Sequence, residues 1–329
     1  MTTPTFPPFE AHPLLRNGHL QTLTTLFRDG TNHNWCTQQH QVTLEDGDRI
    51  VLHDDCPAAW QPNDRSAMIV HGLGGSSQAY YMQRLAARLN QHHVRTFRMD
   101  LRRSGAGIAM ARLPSHAGRS TDIATAIRYV AKRCPQSPTS LIGYSLGGNI
   151  VLKLLGEIGH EPFGNLDNAA AICPPIDLAA CIKKLSQIRN RFYDRYLASQ
   201  LLEQTQKNQT LRPDAPPLDF PHTPNRVGEF DEMYTAPVCG FRNAADYYQQ
   251  CSSQKFIPDI KIHTLIVADR DDPLVPIEPF EYVPVPPTVH LERTTHGGHL
   301  GYISRSGLNP NRRWLDWRIL HWVTTETPA

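Results

Sequence analysis

Ser145 stands in Gly143-Tyr144-Ser145-Leu146-Gly147-Gly148-Asn149, with an apolar stretch on either side. The residues before it, Thr139-Ser140-Leu141-Ile142, suit a short strand, and those after it, Asn149 to Leu155, suit an apolar helix. A serine on so tight a strand-to-helix turn has a strained backbone. Side chains two residues to either side would collide with the neighbouring elements unless they were hydrogen. The turn also sets the hydroxyl at a helix N-terminus, whose free N–H groups and positive dipole end favour a developing negative charge. The chemistry this suits is acyl transfer, with Ser145 as nucleophile.

A serine hydroxyl is too weak an acid to attack an ester unaided, so it needs a general base and a carboxylate that orients the base. Downstream lie Ala268-Asp269-Arg270-Asp271-Asp272-Pro273-Leu274-Val275-Pro276 and Thr294-Thr295-His296-Gly297-Gly298-His299-Leu300-Gly301, in the order Ser, Asp, His. Three aspartates compete for the orienting role. Asp272 is preferred because the Pro-x-Val-Pro after it sits where the loop has turned back, Asp271 is second, and Asp177 is a further acid past the preceding strand. His299 is preferred to His296 because two glycines before it let a loop carry the imidazole across the sheet. The N–H groups of Leu146, which follows the serine, and of Leu73, in His71-Gly72-Leu73-Gly74-Gly75-Ser76-Ser77, are expected to form the oxyanion hole. Read instead as a phosphate-binding loop, that stretch lacks both the Lys-Ser/Thr of a P-loop and the GxGxxG spacing.

The elements that must position these loops alternate along the chain. Residues 42–44 and 49–52 read as a hairpin joined by Glu45-Asp46-Gly47-Asp48. Strands follow at 66–70, 94–100, 139–142, 169–173, 262–268 and 289–293, with helices at 80–91, 119–133 (capped by Ser120 or Thr121), after Ser145, and at 314–323. The pattern predicts an α/β fold, a mostly parallel sheet with helices on both faces and its ligand at the strands' carboxyl ends. The alternation stops between Pro174 and Pro258. Those residues read as helical over 178–206, irregular and proline-rich over 211–227, and helical again near 244–253. A connection of about 85 residues is far longer than usual, so 174–258 is expected to be a helical cap inserted into a core of 1–173 and 259–329, with an N-terminal extension over 1–40. Residues 12–23 are assigned no chemistry, only a place at the sheet edge or at the pocket border.

Composition narrows the class. The 329 residues carry 33 Lys and Arg against 31 Asp and Glu, a net charge of +2 that gives no footing for a nucleic-acid or membrane-surface reading. The seven cysteines are odd in number and show no CxxC spacing, which argues against a disulfide framework or structural zinc and suits a reducing cytoplasm. No apolar run reaches 18 residues and the first residues do not resemble a signal peptide, so the chain reads as soluble, with peripheral membrane contact left open. No metal or organic cofactor is called for.

Taken together, Asn17-Gly18-His19-Leu20-Gln21-Thr22, His71-Gly72-Leu73, the serine turn, and the stretch from Glu229-Phe230-Asp231 to Ala245-Asp246-Tyr247-Tyr248 resemble the YheT-like branch of the α/β-hydrolase superfamily. Asp271-Asp272-Pro273 and Gly297-Gly298-His299-Leu300-Gly301-Tyr302 complete a likeness that spans nearly the whole chain. The resemblance implies the α/β-hydrolase fold and a Ser145, Asp272, His299 triad that cleaves carboxylic esters. The family spans short-chain esters and lipid acyl chains and fixes no substrate; short to medium acyl chains are the expectation here. Thioesterase, amidase and acyltransferase activities on the same triad, or lipid binding without catalysis, are the alternatives. One departure stands out. After Asp100-Leu101-Arg102 the family tends to have glycine, and this sequence has Arg103.

Overall fold

The turn Glu45-Asp46-Gly47-Asp48 folds β1 (Gln38–Thr43) back on β2 (Arg49–Asp55) as the antiparallel hairpin expected of it. The computed structural model describes residues 6–26, 37–305 and 311–325; Cys36 and the start of the N-terminal extension fall outside them. Six further strands follow: β3 (Ser66–Val70), β4 (Arg95–Asp100), β5 (Thr139–Tyr144), β6 (Leu166–Ile172), β7 (His263–Asp269) and β8 (Val289–Thr294). They form one sheet in the order β1-β2-β4-β3-β5-β6-β7-β8, in which only the β1–β2 and β2–β4 pairings are antiparallel.

Short runs such as Ser66-Ala67-Met68-Ile69-Val70 are apolar on both faces because helices cover both faces of the sheet. Met68 and Val70 pack with the helices Ser120–Arg133 and Leu146–Ile158, whereas Ala67 and Ile69 pack with Tyr80–Gln91 and Trp314–Thr325. The order reverses at β3, which lies between β4 and β5, and that crevice is where such sheets place their ligands.

Neither Ser120 nor Thr121 caps its helix. The helix starts at Ser120 behind Arg119 and has no side-chain cap. Asp122 in its first turn adds the favourable charge and binds Arg102 at 2.7 Å. Between β6 and β7 the amphipathic stretch is broken at residues 186–190 into Leu178–Leu185 and Arg191–Leu211. A third helical stretch over 227–238, unforeseen from the sequence, is wound as a π-turn at Asp231–Thr235.

Arg103 keeps the left-handed backbone that a glycine would adopt freely, at φ 59°. Its guanidinium donates to Tyr234 Oη at 2.8 Å and to the Arg112 carbonyl, so it ties the loop after β4 to the π-turn.

Candidate active site

Val70 pairs with Gly143, so the loops leaving β3 and β5 emerge side by side. Ser145 has φ 49° and ψ −120°, and its N–H donates to the Ile172 carbonyl at 2.8 Å. The glycines are needed where the sequence placed them. A Cβ on Gly143 would come within 2.5 Å of the Gly147 carbonyl oxygen, and one on Gly147 within 2.5 Å of the His71 carbonyl oxygen. The left-handed serine is a strained conformation that the packed turn holds in place.

Asp269 pairs with Thr294, which likewise sets the loops after β7 and β8 next to each other. His299 Nε2 lies 3.0 Å from Ser145 Oγ, and its Nδ1 lies 2.7 Å from Asp272 Oδ2. Asp272 is buried, and its other oxygen accepts the N–H groups of Leu274 and Val275 at 2.8 and 3.0 Å. These bonds fix the carboxylate, which fixes the imidazole with its Nδ1 proton toward Asp272 and its Nε2 lone pair toward the hydroxyl. Such a relay can take a proton from Oγ as it attacks a carbonyl.

The competing residues sit elsewhere. Asp271 Oδ1 accepts the Gly298 N–H at 3.2 Å, and its other oxygen faces the half-exposed His296 at 3.4 Å. Asp177 caps the helix Leu178–Leu185, accepting the Ala180 N–H.

Gly72 brings the loop after β3 against the serine, where an added Cβ would lie 3.1 Å from Ser145 Cβ. The Gly72–Leu73 peptide is held on its carbonyl side by His71 Nδ1 at 2.7 Å and by the Gly75 N–H at 3.1 Å. Tyr81 Oη accepts the Gly72 N–H. With His71 Nε2 accepting the Leu101 N–H at 3.2 Å, both ring nitrogens are committed to the neutral tautomer, and burial pushes the His71 pKa down. Leu73 N–H is the opposite edge of that pinned peptide. Neither it nor Leu146 N–H has an acceptor among the described residues, so both are free to meet an oxyanion.

Two groups have supporting roles that the sequence does not assign: Asp269, one of the three competing acids, and residues 17–22, expected only at the sheet edge or the pocket border. Asp269 accepts the N–H groups of Asp271, Gly297 and Gly298 and the Thr294 hydroxyl, and so laces the acid loop to the histidine loop. Burial and the neighbouring Asp271 carboxylate push its pKa up. On the other side, Asn17 caps the short helix Gly18–Leu23. Gly18 packs so closely that a Cβ would strike the Asp271 carbonyl. Gln21 exchanges hydrogen bonds with both the N–H and the carbonyl of Ile303, and Thr22 Oγ1 accepts the His299 N–H at 2.9 Å. Residues 17–22 therefore clamp the histidine loop, and Thr22 and Leu23 also border the cavity. Thr22→Val, which keeps the shape and loses the acceptor, is expected to lower kcat about tenfold, in line with one lost buried hydrogen bond. Thr22→Ser should restore it; equal rates for all three proteins would make the clamp idle.

Above the serine lies a cavity of about 520 Å³. Its walls come from the loops just described, from the N-terminal helix and from the stretch between β6 and β7, including Leu178, Ile182, Leu185, Leu197 and Val227. Asp231 and Tyr248 also line it and bond to each other at 2.9 Å. Burial pushes the Asp231 carboxyl up to about 6, against the opposing bonds from Thr235 and Tyr248. Between roughly pH 4 and pH 6 the unfolded chain has then released a proton that the folded chain retains. Stability consequently falls as pH rises through that window and is level above it. Asp231→Asn is expected to melt several degrees above the wild type at pH 7.5, with the gap closing toward pH 4; a gap independent of pH would show that ionisation is not its cause.

Among the described residues, the side chains grouped closely enough for a metal ion are Cys173, Asp272 and His299, with ligand atoms within 4.8 Å of one another. Two of them already serve the Ser145 relay, and burial pushes the Cys173 thiol well up, so it stays protonated and is a poor ligand.

A sheet of this order, with a serine on the β5 turn, an acid after β7 and a histidine after β8, has the architecture of the α/β-hydrolases. The chain belongs to the YheT-like family of that superfamily: the α/β-hydrolase fold family matches residues 68–306. The Escherichia coli (strain K12) protein YheT, which carries an esterase name, is 32% identical over 95% of this chain and 92% of its own. The medium-chain fatty acid ethyl ester synthase/esterase 2 of Saccharomyces cerevisiae is 29% identical over 78% of this chain and 61% of its own length. In fold, the Pyrococcus furiosus esterase Pf2001 superposes with a TM-score of 0.57 at 16% identity, covering 90% of this chain and 97% of that one. No helix among the described residues is long and apolar enough to cross a membrane.

Proposed function

We propose that this chain hydrolyses carboxylic esters of short to medium acyl chains through an acyl-serine intermediate on Ser145. The observation that carries the reading is the unbroken line of two hydrogen bonds from Asp272 through His299 to Ser145, opening into an apolar cavity. Ser145 Oγ adds to the ester carbonyl while His299 Nε2 takes its proton, and Asp272 holds the imidazolium that forms. The N–H groups of Leu73 and Leu146 receive the oxyanion. As the tetrahedral species collapses, His299 returns the proton to the leaving alkoxide. Water, deprotonated by the same imidazole, then releases the acid and regenerates the hydroxyl.

In this reading residues 174–258 act as the cap that sizes the acyl group, over a core of 1–173 and 259–329. We place the protein in the cytoplasm, which suits the six cysteines that are free among the described residues. The test is a series of p-nitrophenyl esters from acetyl to dodecanoyl, with ethanol added in a parallel set. A maximum between butanoyl and decanoyl supports the reading, and absence of turnover across the series overturns it. Ethyl ester formation would favour a second reading, transfer of the acyl group to an alcohol, which the name of the yeast relative couples to hydrolysis.

A further inference from the structure

The mouth of the cavity is rimmed by apolar side chains that face solvent. Leu26 is 57% exposed, Tyr80 41%, Phe192 66% and Tyr196 47%, although all four line the cavity. Phe192 and Tyr196 lie four residues apart on one face of the helix Arg191–Leu211, and Ile188, 85% exposed, stands in the short turn Ile188–Asn190 that leads into it. Large side chains left in water around the entrance to an apolar cavity mark a contact surface.

The charges beside this strip identify what meets it. Between Leu178 and Leu202 the one acid is Asp194, and it is buried, accepting the Val227 N–H at 2.8 Å. Lys183, Arg189, Arg191 and Arg195 in the same stretch are all exposed, and none has an ion-pair partner among the described residues. Arg191 and Arg195 are again four apart, on a stripe next to Phe192 and Tyr196. Exposed aromatic and aliphatic groups flanked by unpaired cations, with the acid turned inward, are the features of a segment that lies on an anionic lipid surface.

We propose that residues 183–196, with Leu26 and Tyr80 across the mouth, dock on anionic phospholipid bilayers and set the cavity entrance against the lipid. Acyl esters dissolved in the bilayer then reach Ser145 without crossing water. That the surface delivers esters rests on the ester-hydrolase reading above, whereas the docking does not.

The test is co-sedimentation of the full chain carrying Ser145→Ala with vesicles of phosphatidylcholine alone or mixed with phosphatidylglycerol. Because the variant turns nothing over, failure to bind is read separately from failure of the esterase assay. The Ser145→Ala protein should bind the mixed vesicles and release on added salt. Arg191→Gln with Arg195→Gln should weaken binding by about 25-fold, at roughly fivefold for each cation near an anionic surface. Ile188→Ser with Phe192→Ser should weaken it at least tenfold. All four side chains are exposed, so melting temperatures should stay at the parent value and serve as the folding control. Absence of binding to the mixed vesicles overturns the proposal, as does binding that survives both double variants. A dimer in sedimentation velocity that Ile188→Ser with Phe192→Ser dissociates would assign the strip to a second copy of the chain and overturn it equally.

Discussion

Ser145→Ala is expected to lower kcat for p-nitrophenyl butanoate by ~10⁵-fold or more, because nothing else near the carbonyl can take the nucleophile's place. The oxyanion donors and the cavity remain, so a small residue of catalysis above the water rate should persist. A fluorophosphonate probe that labels the wild type should leave the variant unlabelled. Ser145 also holds a left-handed backbone at φ 49°, a conformation that costs about 1 kcal/mol or more for any residue with a side chain. Ser145→Gly should then be as inactive as the alanine variant yet melt above it, since glycine adopts this backbone without strain. A rate within tenfold of the wild type in either variant would remove Ser145 from the mechanism. Equal melting temperatures for the two would show that the turn is unstrained.

The same serine turn explains why so much of the site was legible in the sequence. Gly143 and Gly147 are required by contacts with backbone atoms only a few residues away or on the adjacent strand, so they announce the turn locally. Asp272 and His299 could be ranked because each stands in a loop past a recognisable strand, with Pro-x-Val-Pro after the one and two glycines before the other. The clamp formed by Asn17, Gln21 and Thr22 left no such trace. Its partners, Ile303 and His299, lie some 280 residues away in sequence, and a polar residue on a short helix looks the same whether it faces water or a catalytic loop. Asp269 was hidden for a related reason, since three acids within four residues look alike until the backbone donors around each are known. The π-turn Asp231–Thr235 is contacted by Arg103, 131 residues before Tyr234, and by Tyr248, 17 residues after Asp231, and local periodicity does not register such contacts. In the sequence Arg103 shows only as a departure from glycine. Its left-handed backbone preserves the glycine's geometry, while its side chain adds a tie to Tyr234 that no glycine could make.

Asp272→Asn should separate the adjacent acids. The carboxylate of Asp272 can only accept from His299 Nδ1, whereas an asparagine amide can also present its N–H₂ group there. Presented that way, it moves the imidazole proton to Nε2, which then faces Ser145 Oγ as a donor and cannot act as a base. A loss of ~10⁴-fold in kcat is expected near neutral pH, with little change in KM because the substitution leaves the cavity wall intact. Raising the pH should recover part of the loss as hydroxide replaces the missing base, so the profile of the variant should climb where that of the wild type is flat. Asp271→Asn, one residue away, should stay within about tenfold of the wild type, because Asp271 reaches Gly298 and His296 but neither Ser145 nor the ring of His299. If the two variants exchanged these phenotypes, Asp271 would be the orienting acid, and the pairing of Asp272 with His299 at 2.7 Å would be structural alone.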